Sequence, residues 1–296
     1  MIDPSWDLYR TFLAVVDEGS LSAAARALAL TQPTIGRHVE ALEDALGLTL
    51  FVRSQRGLAA TEAALALRPY AETIASTVAA MRREASSQGD AVRGIVRISA
   101  SEIVGTEVLP PIVAALRARY PELELELALT NDVSNLLRQE ADVAVRMTEP
   151  AQKALVVRKL GAVELGLFAR GAYLDRHGAP KNGRELAQHT VIGVDRESAW
   201  VRAMRARIPG SANIRFALRA TSDVAQLELI RAGAGIGIVQ VPLAKRDDLV
   251  RVMPSALHLR LGVWLVMHEN LRATPRCRAV FDALSDGVKR YLAAET

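Results

Sequence analysis

The 296-residue sequence predicts an α/β chain in two parts. The first is an all-α winged helix-turn-helix that continues into one long linker helix; the second is a two-lobed α/β domain. Three observations predict this. The apolar residues of the first eighty-odd positions recur mainly at helical steps, broken by Gly19, Gly47 and one short hairpin. From Arg93 onward short strand-like runs alternate with helical stretches, the texture of a parallel sheet. That rhythm restarts near Val163 as a second lobe, and the chain returns to the first near Trp264–His268.

Helix one, Trp6 to Val16, supplies Leu8, Phe12, Val15 and Val16 as core. Gly19 ends it and Ser20 is placed to cap helix two. Helix two is lined with Ala23, Ala24, Ala25 and Ala27, so another backbone can pack close; Leu28 and Leu30 close it. Thr31 caps helix three, and Pro33 falls in its first turn, where a missing N–H costs little. Ile35, Val39, Leu42 and Leu46 bury one face, and Gly47 stops the helix.

The other face of helix three carries Gln32, Thr34, Arg37 and His38 beside Pro33. The N-terminal turns of such a helix enter the major groove of double-stranded DNA, where Gln pairs with adenine and Arg with guanine. Leu50 to Leu58 reads as a hairpin with Arg53 and Arg56 near its tip, a wing for the phosphate backbone or minor groove. Two helices and a tight turn also occur in proteins that never meet DNA. Pro33, the wing and the helix beyond it favour the DNA reading. Charge adds less. The chain carries a formal +4, but residues 1–60 hold five arginines against seven acids, a net of −2. DNA binding therefore rests on where the arginines sit, with few phosphate contacts and a modest salt dependence.

The run Phe12, Gly19-Ser20, Ala24-Ala25, Leu28, Gln32-Pro33, Leu42-Glu43, Leu46-Gly47, Leu50-Phe51, Arg53 and Thr61 resembles the N-terminal signature of LysR-type transcriptional regulators. Two positions depart from that pattern. Gly36 stands where the family usually has Ser, which changes the base contacts expected, and Ala64 stands where it usually has Gly. The resemblance covers the first sixty-odd residues closely and the remainder more loosely. It implies a ligand-modulated regulator that dimerises through its linker helix, and a sensing domain similar to periplasmic solute-binding proteins.

Thr61 can cap a helix from about Glu62 to Ser86, with Leu67, Tyr70, Ile74, Val78 and Met81 along one side. Either the helix packs on its own domain, or the stripe pairs with a second copy. A homodimer would present two recognition helices to a near-palindromic promoter site; a homotetramer could form through the sensing domains. Residues 86–90 form a polar hinge. The expected organisation is thus 1–60, 61–90 and 91–296, with lobe I at about 91–162 and 266–296 and lobe II at about 163–265.

In the second part Ile95, Val96 and Ile98 form a strand ending at Ser99-Ala100-Ser101, and a helix opening with Val108-Leu109-Pro110-Pro111 runs to about Tyr120. Leu123, Leu125, Leu127 and Leu129 alternate on one face of the next strand. A helix at 132–140 leads to strand 142–146. Lobe II holds strands near 191–194, 215–219 and 236–239 and helices near 199–207 and 223–232; a helix from Arg276 to Leu292 ends the chain. Ligands of open α/β folds bind beyond the strands' C-terminal ends. That nominates Ser99, Ala100, Ser101, Thr130, Asn131 and Arg146, with Thr221, Ser222 and Asp223 from lobe II, for a small-molecule effector such as a small carboxylate or anion. Ser99 and Ser101 equally suit helix capping, and Arg146 equally suits an ion pair with Glu149.

Other chemistry finds no support in the sequence. Gly233, Gly235 and Gly237 precede a strand, so they are not a dinucleotide fingerprint. The histidines at 38, 177, 189, 258 and 268 and the lone Cys277 lack metal-ligand spacing, and no cofactor is expected. One cysteine fits a reducing compartment. No signal peptide or membrane-length apolar run is seen, so a cytoplasmic protein without membrane contact is expected. The alternative is a cytoplasmic solute-binding or enzymatic α/β protein whose N-terminal helices serve only in oligomerisation; no nucleophile motif or nearby histidine accompanies Ser99 or Ser101, so no catalytic residue is expected.

Overall fold

The structure is a computed structural model and describes residues 3–54, 57–85, 91–131, 141–150, 155–195, 202, 214–257 and 259–294. The expected hinge at 86–90, the helices at 132–140 and 199–207, and Arg56 lie wholly or almost wholly outside the described residues. The described residues fall into two compact units divided after Ala85.

In the first unit α1 spans Trp6–Glu18 and ends at Gly19, whose φ of 67° is the left-handed value glycine tolerates. Helix α2 covers Leu21–Leu28, where the Ser20 side chain accepts the Ala23 N–H at 3.2 Å. It ends at Ala29 in the left-handed region (φ 54°), and Leu30 lies exposed beyond it instead of closing it. Helix α3 covers Gln32–Leu46, with Thr31 accepting the Thr34 N–H and Gly47 as its left-handed stop. Strands β1 (Phe51–Ser54) and β2 (Gly57–Ala60) form the antiparallel wing. Thr61 then accepts the Ala64 N–H at the start of α4, Glu62–Ala85. Phe12, Val15, Ala24, Ile35, Leu42 and Leu50 form the core, closed by Ala64 and Ala71 of α4.

Leu67 packs against that same core, so the first turns of α4 serve their own unit and Leu67 leaves the expected pairing stripe. The remainder is distributed differently: Tyr70 (71 %) and Met81 (67 %) are widely exposed, Ile74 is exposed and Val78 half-buried. Pro69 lies inside the helix.

In the second unit strands β3 (Gly94–Ala100), β4 (Leu123–Leu129) and β5 (Val143–Arg146) run parallel in the order β4-β3-β5. Between β3 and helix α5 (Leu109–Arg119) the chain takes a wide π-helical turn, Val104–Val108, in which the Leu109 N–H reaches back to the Val104 carbonyl. Pro110 and Pro111 follow in the first turn of α5, where a missing N–H costs little. Strand β4 is the sheet edge, and its apolar face is covered only at Leu123 and partly at Leu125; Leu127 and Leu129 are exposed.

Strand β6 (Leu155–Arg170) is sixteen residues long and pairs antiparallel with β11 (Leu259–His268), which lies beside β5. The pair is irregular between Val263 and Trp264, opposite Gly161. These two strands carry the chain between two cores. One core gathers Val96, Ile98, Leu123, Val143, Val163 and Leu265 under α5 and the C-terminal helix α10, Pro275–Ala293. The other gathers around Leu167, Leu186, Val191, Ile214 and Ile236, next to a cluster of Phe168, Ile192, Leu227 and Val239. There the sheet continues from β6 to β9 (Gly237–Gln240), with β10 (Leu249–Val252) on the other edge. Strands β7 (Val191–Gly193) and β8 (Phe216–Arg219) pair with each other, and Val191 bridges to Ile236. The helices of this lobe are α6 (Gly171–His177), α7 (Gly183–Leu186), α8 (Asp223–Arg231) and α9 (Val241–Arg246). The whole sheet is therefore mixed: parallel where β-α-β units build it, antiparallel where the crossover strands return.

Candidate functional site

On the first unit the exposed end of α3 presents Gln32, Pro33 and Arg37 to solvent. Gln32 is held by the Ser22 hydroxyl, which donates to its Oε1 at 3.0 Å, and the Thr34 hydroxyl lies 2.8 Å from that of Thr31. His38 faces inward instead: its Nδ1 lies 2.8 Å from Oγ1 of buried Thr11. The Thr11 hydroxyl donates to the Asp7 carbonyl, so His38 Nδ1–H is the donor to Thr11. The ring therefore braces α3 on α1, and the expectation of an outward-facing His38 is corrected by a partner 27 residues upstream.

The wing is fixed from two sides. The Glu43 carboxylate of α3 accepts the Leu50 and Phe51 N–H groups at 2.6 and 3.1 Å, and the Leu58 N–H donates to the Gly19 carbonyl. Gly57 sits so close to that carbonyl that a Cβ there would lie 2.8 Å from it. Arg53 is exposed on β1. Neither the role of Glu43 nor the docking of the wing on Gly19 was read from the sequence.

In the second unit a cavity of about 410 Å³ lies between the two lobes. Ser101, Thr130, Asn131, Arg146 and Asp223 line it, and Ile192, Ile214, Phe216, Leu227 and Ile238 form much of its apolar wall. The other nominated residues stand off the lining. Ala100 is fully buried in the sheet, and Ser99 is buried behind Arg146, whose Nη2 donates to the Ser99 hydroxyl at 2.9 Å. Ser99 thus positions Arg146 rather than facing the cavity. Thr221 is exposed, away from the lining. Ser222 caps α8 through the Ala225 N–H.

The N-terminus of α8 already has an anion. Glu102, just past β3, accepts the Ser222 hydroxyl at 2.8 Å and the Asp223 N–H at 2.9 Å through one carboxylate oxygen. Asn131 completes the bridge: its Oδ1 accepts the Glu102 N–H and its Nδ2 donates to Asp223. Burial raises the Asp223 pKa, the Glu102 charge adds to it, and the Asn131 hydrogen bond opposes it. Glu102 escaped the sequence reading because its partners lie 120 residues away.

A second bridge, this one ionic, joins the lobes at the wide turn. Glu107 pairs with Arg231 of α8 at 2.8 Å and with Arg246 at the end of α9, while Arg231 also holds Asp247 at 2.7 Å. The hydrogen bond from Arg231 leads in holding the Glu107 carboxyl at a pKa of about 2; Arg246 adds to it, against the opposing effect of burial. Among the described residues no cluster of His, Cys, Asp and Glu suits a metal ion, and no helix is long and apolar enough to cross a membrane.

Residues 6–65 match the family of bacterial regulatory helix-turn-helix proteins of the lysR type, and residues 89–289 match the LysR substrate binding domain. An HTH-type transcriptional regulator of Xanthomonas campestris pv. campestris is 32% identical over 183 residues, 62% of this chain and 53% of that protein. The chain thus aligns with about half the length of this relative. The probable HTH-type transcriptional regulator LtrA of Klebsiella pneumoniae is 26% identical over 294 residues, 96% of this chain and 95% of LtrA. Among solved structures, CrgA of Neisseria meningitidis aligns over 96% of this chain and 98% of its own with a TM-score of 0.58 at 25% identity. AphB of Vibrio cholerae shares the fold, with a TM-score of 0.60 over 95% of this chain and 98% of its own at 24% identity.

Proposed function

The chain belongs to the LysR family of bacterial helix-turn-helix transcriptional regulators, and on that premise we infer that it binds promoter DNA through α3 and the wing and is modulated by a small molecule held between its lobes. The observation that carries the DNA reading is the exposed start of α3, where Gln32, Pro33 and Arg37 stand clear of the core beside a wing bearing Arg53. Arg37 is the base-reading candidate and Arg53 the backbone or minor-groove contact. Tyr70, Ile74, Val78 and Met81 are the candidates for pairing α4 with a second copy, and a twofold dimer reads a near-palindromic site. Tetramers would add contacts between sensing domains.

The cavity favours binding over turnover. Its described polar lining offers hydroxyls, amides, one arginine and one aspartate, with no histidine to act as a base near Ser101 or Thr130. The reading therefore assigns no catalytic residue and places the protein in the cytoplasm with its DNA. A ligand changes DNA binding only if it prefers one arrangement of the lobes, so it acts as a weight on an existing equilibrium.

The test is fluorescence anisotropy of the full chain on the promoter fragment beside its own gene. Replacing Arg37 by Ala is expected to cost about 1–3 kcal/mol on the specific site. Replacing Arg53 by Ala is expected to weaken all DNA alike and to lower the salt slope by about 1. Unchanged specific affinity in Arg37→Ala would remove α3 as the reading element.

A further inference from the structure

We propose that the inter-lobe cavity is built for an apolar molecule with a single negative charge, and that Glu102 and Asp223 are the residues that exclude a second one. The proposal rests on the effector reading above and names the chemical class that site takes.

The lining has two chemically distinct sides. Lobe II presents mostly aliphatic and aromatic carbon, from Val191, Ile192, Ile214 and Phe216 among others, with Asp223, Gln226 and Gln240 as its polar groups. Lobe I presents Ser101, Thr130 and Arg146 at the C-terminal ends of its parallel strands. Arg146 is the only cationic side chain among the described lining residues. Among the described residues, that arginine and its neighbouring hydroxyls thus give an acid group its one favourable place. The rest of the ligand must be apolar enough to replace water against the lobe II wall. A volume of about 410 Å³ lies at the small end of ligand pockets and leaves ample room for a ring-bearing acid.

The start of α8 would ordinarily offer a second anion its free N–H groups. Here the Glu102 carboxylate fills that position through the Ser222 hydroxyl and the Asp223 amide. The Asp223 carboxylate stands on the cavity wall beside it. The raised Asp223 pKa, from burial first and Glu102 second, agrees with a rim already short of compensation for negative charge. A ligand's second carboxylate, or a compact anion such as sulfate, would meet the Asp223 carboxylate on the wall, with the half-buried Glu102 carboxylate next to it.

Isothermal titration of the full-length chain with benzoate, cyclohexanecarboxylate, benzamide, phthalate and sulfate tests this. At least one monoacid is expected to bind about tenfold or more tightly than benzamide, phthalate or sulfate. Glu102→Gln keeps an oxygen that can accept from Ser222 and Asp223 while removing the charge. It is expected to narrow the preference for benzoate over phthalate about fivefold, and Asp223→Asn to do so independently. A scaffold role alone would lower both affinities together and leave that ratio fixed; circular dichroism checks that each variant is folded. The proposal is overturned if phthalate or sulfate rivals the monoacids in the native chain. It is overturned equally if benzamide matches benzoate, if neither monoacid binds at millimolar concentration, or if folded Glu102→Gln leaves the ratio unchanged. If citrate or another polyanion binds the cavity and shifts promoter affinity, the ligand class is wrong and the regulatory reading stands. If no compound shifts promoter affinity, the regulatory reading itself fails.

Discussion

Single residues separate what is encoded nearby from what arrives from elsewhere in the chain. Ser20, Thr31 and Thr61 cap the helices they were expected to cap, because a capping hydroxyl and its N–H lie three residues apart. His38 and Glu102 carry no such local mark: each is a polar side chain whose role depends on a distant partner. Gly36 sits between these cases. Its place in α3 is evident from sequence, but only the structure gives its surroundings, where the nearest atom to an added Cβ is Leu21 Cδ1 at 4.0 Å. Gly36→Ser therefore enters without a clash and is expected to stabilise the unit by about 0.5 kcal/mol through helix propensity. Urea unfolding followed by circular dichroism measures this, and a loss of stability would mean that the α2–α3 contact is tighter than described.

Elements depart from their sequence signatures wherever a neighbour decides. The alternation in β4 is a strand signal, yet its position at the sheet edge leaves Leu127 and Leu129 exposed. The apolar stripe on α4 marks a helix, yet Leu67 is claimed by the core of its own unit. Strand β6 has no counterpart in the sequence reading, which marks only the start of a lobe near Val163; exposed Arg158 and Lys159 interrupt its apolar run. The wing shows the same dependence in its attachment. The Leu50 and Phe51 N–H groups, where the chain enters β1, end on the Glu43 carboxylate, so Glu43→Ala is expected to cost about 1–3 kcal/mol and loosen the hairpin. Hydrogen exchange at the Leu50 and Phe51 amides reads this directly; unchanged protection there would show that Glu43 is not what holds the wing. Glu43→Gln, which keeps an acceptor, is expected to lose less.

At the scale of the molecule, the ion pairs between Glu107, Arg231 and Arg246 link the two lobes of the sensing unit. Folding lowers the Glu107 pKa from 4.5 to about 2, so its contribution is complete above pH 4.5 and disappears as pH falls toward 2. Glu107→Gln is expected to cost about 1–3 kcal/mol near neutrality, where it leaves charged, partly buried arginines with weaker partners. The gap from the native chain should close as pH drops below 4.5. A gap that stays constant with pH, measured by urea titration, would assign the effect to packing instead of charge. By itself the sequence determined the helix-turn-helix with its caps and wing, the α/β texture, and the strand ends where Ser101, Thr130, Asn131 and Arg146 lie. Those features follow from periodicity and from hydrogen bonds spanning a few residues. Only the tertiary structure decided that His38 turns inward, that Ser99 stands behind Arg146, and that Glu102 occupies the start of α8. Strands β6 and β11 cross between the lobes and bring together residues more than a hundred positions apart, and no local pattern records which of many acids and amides will meet there.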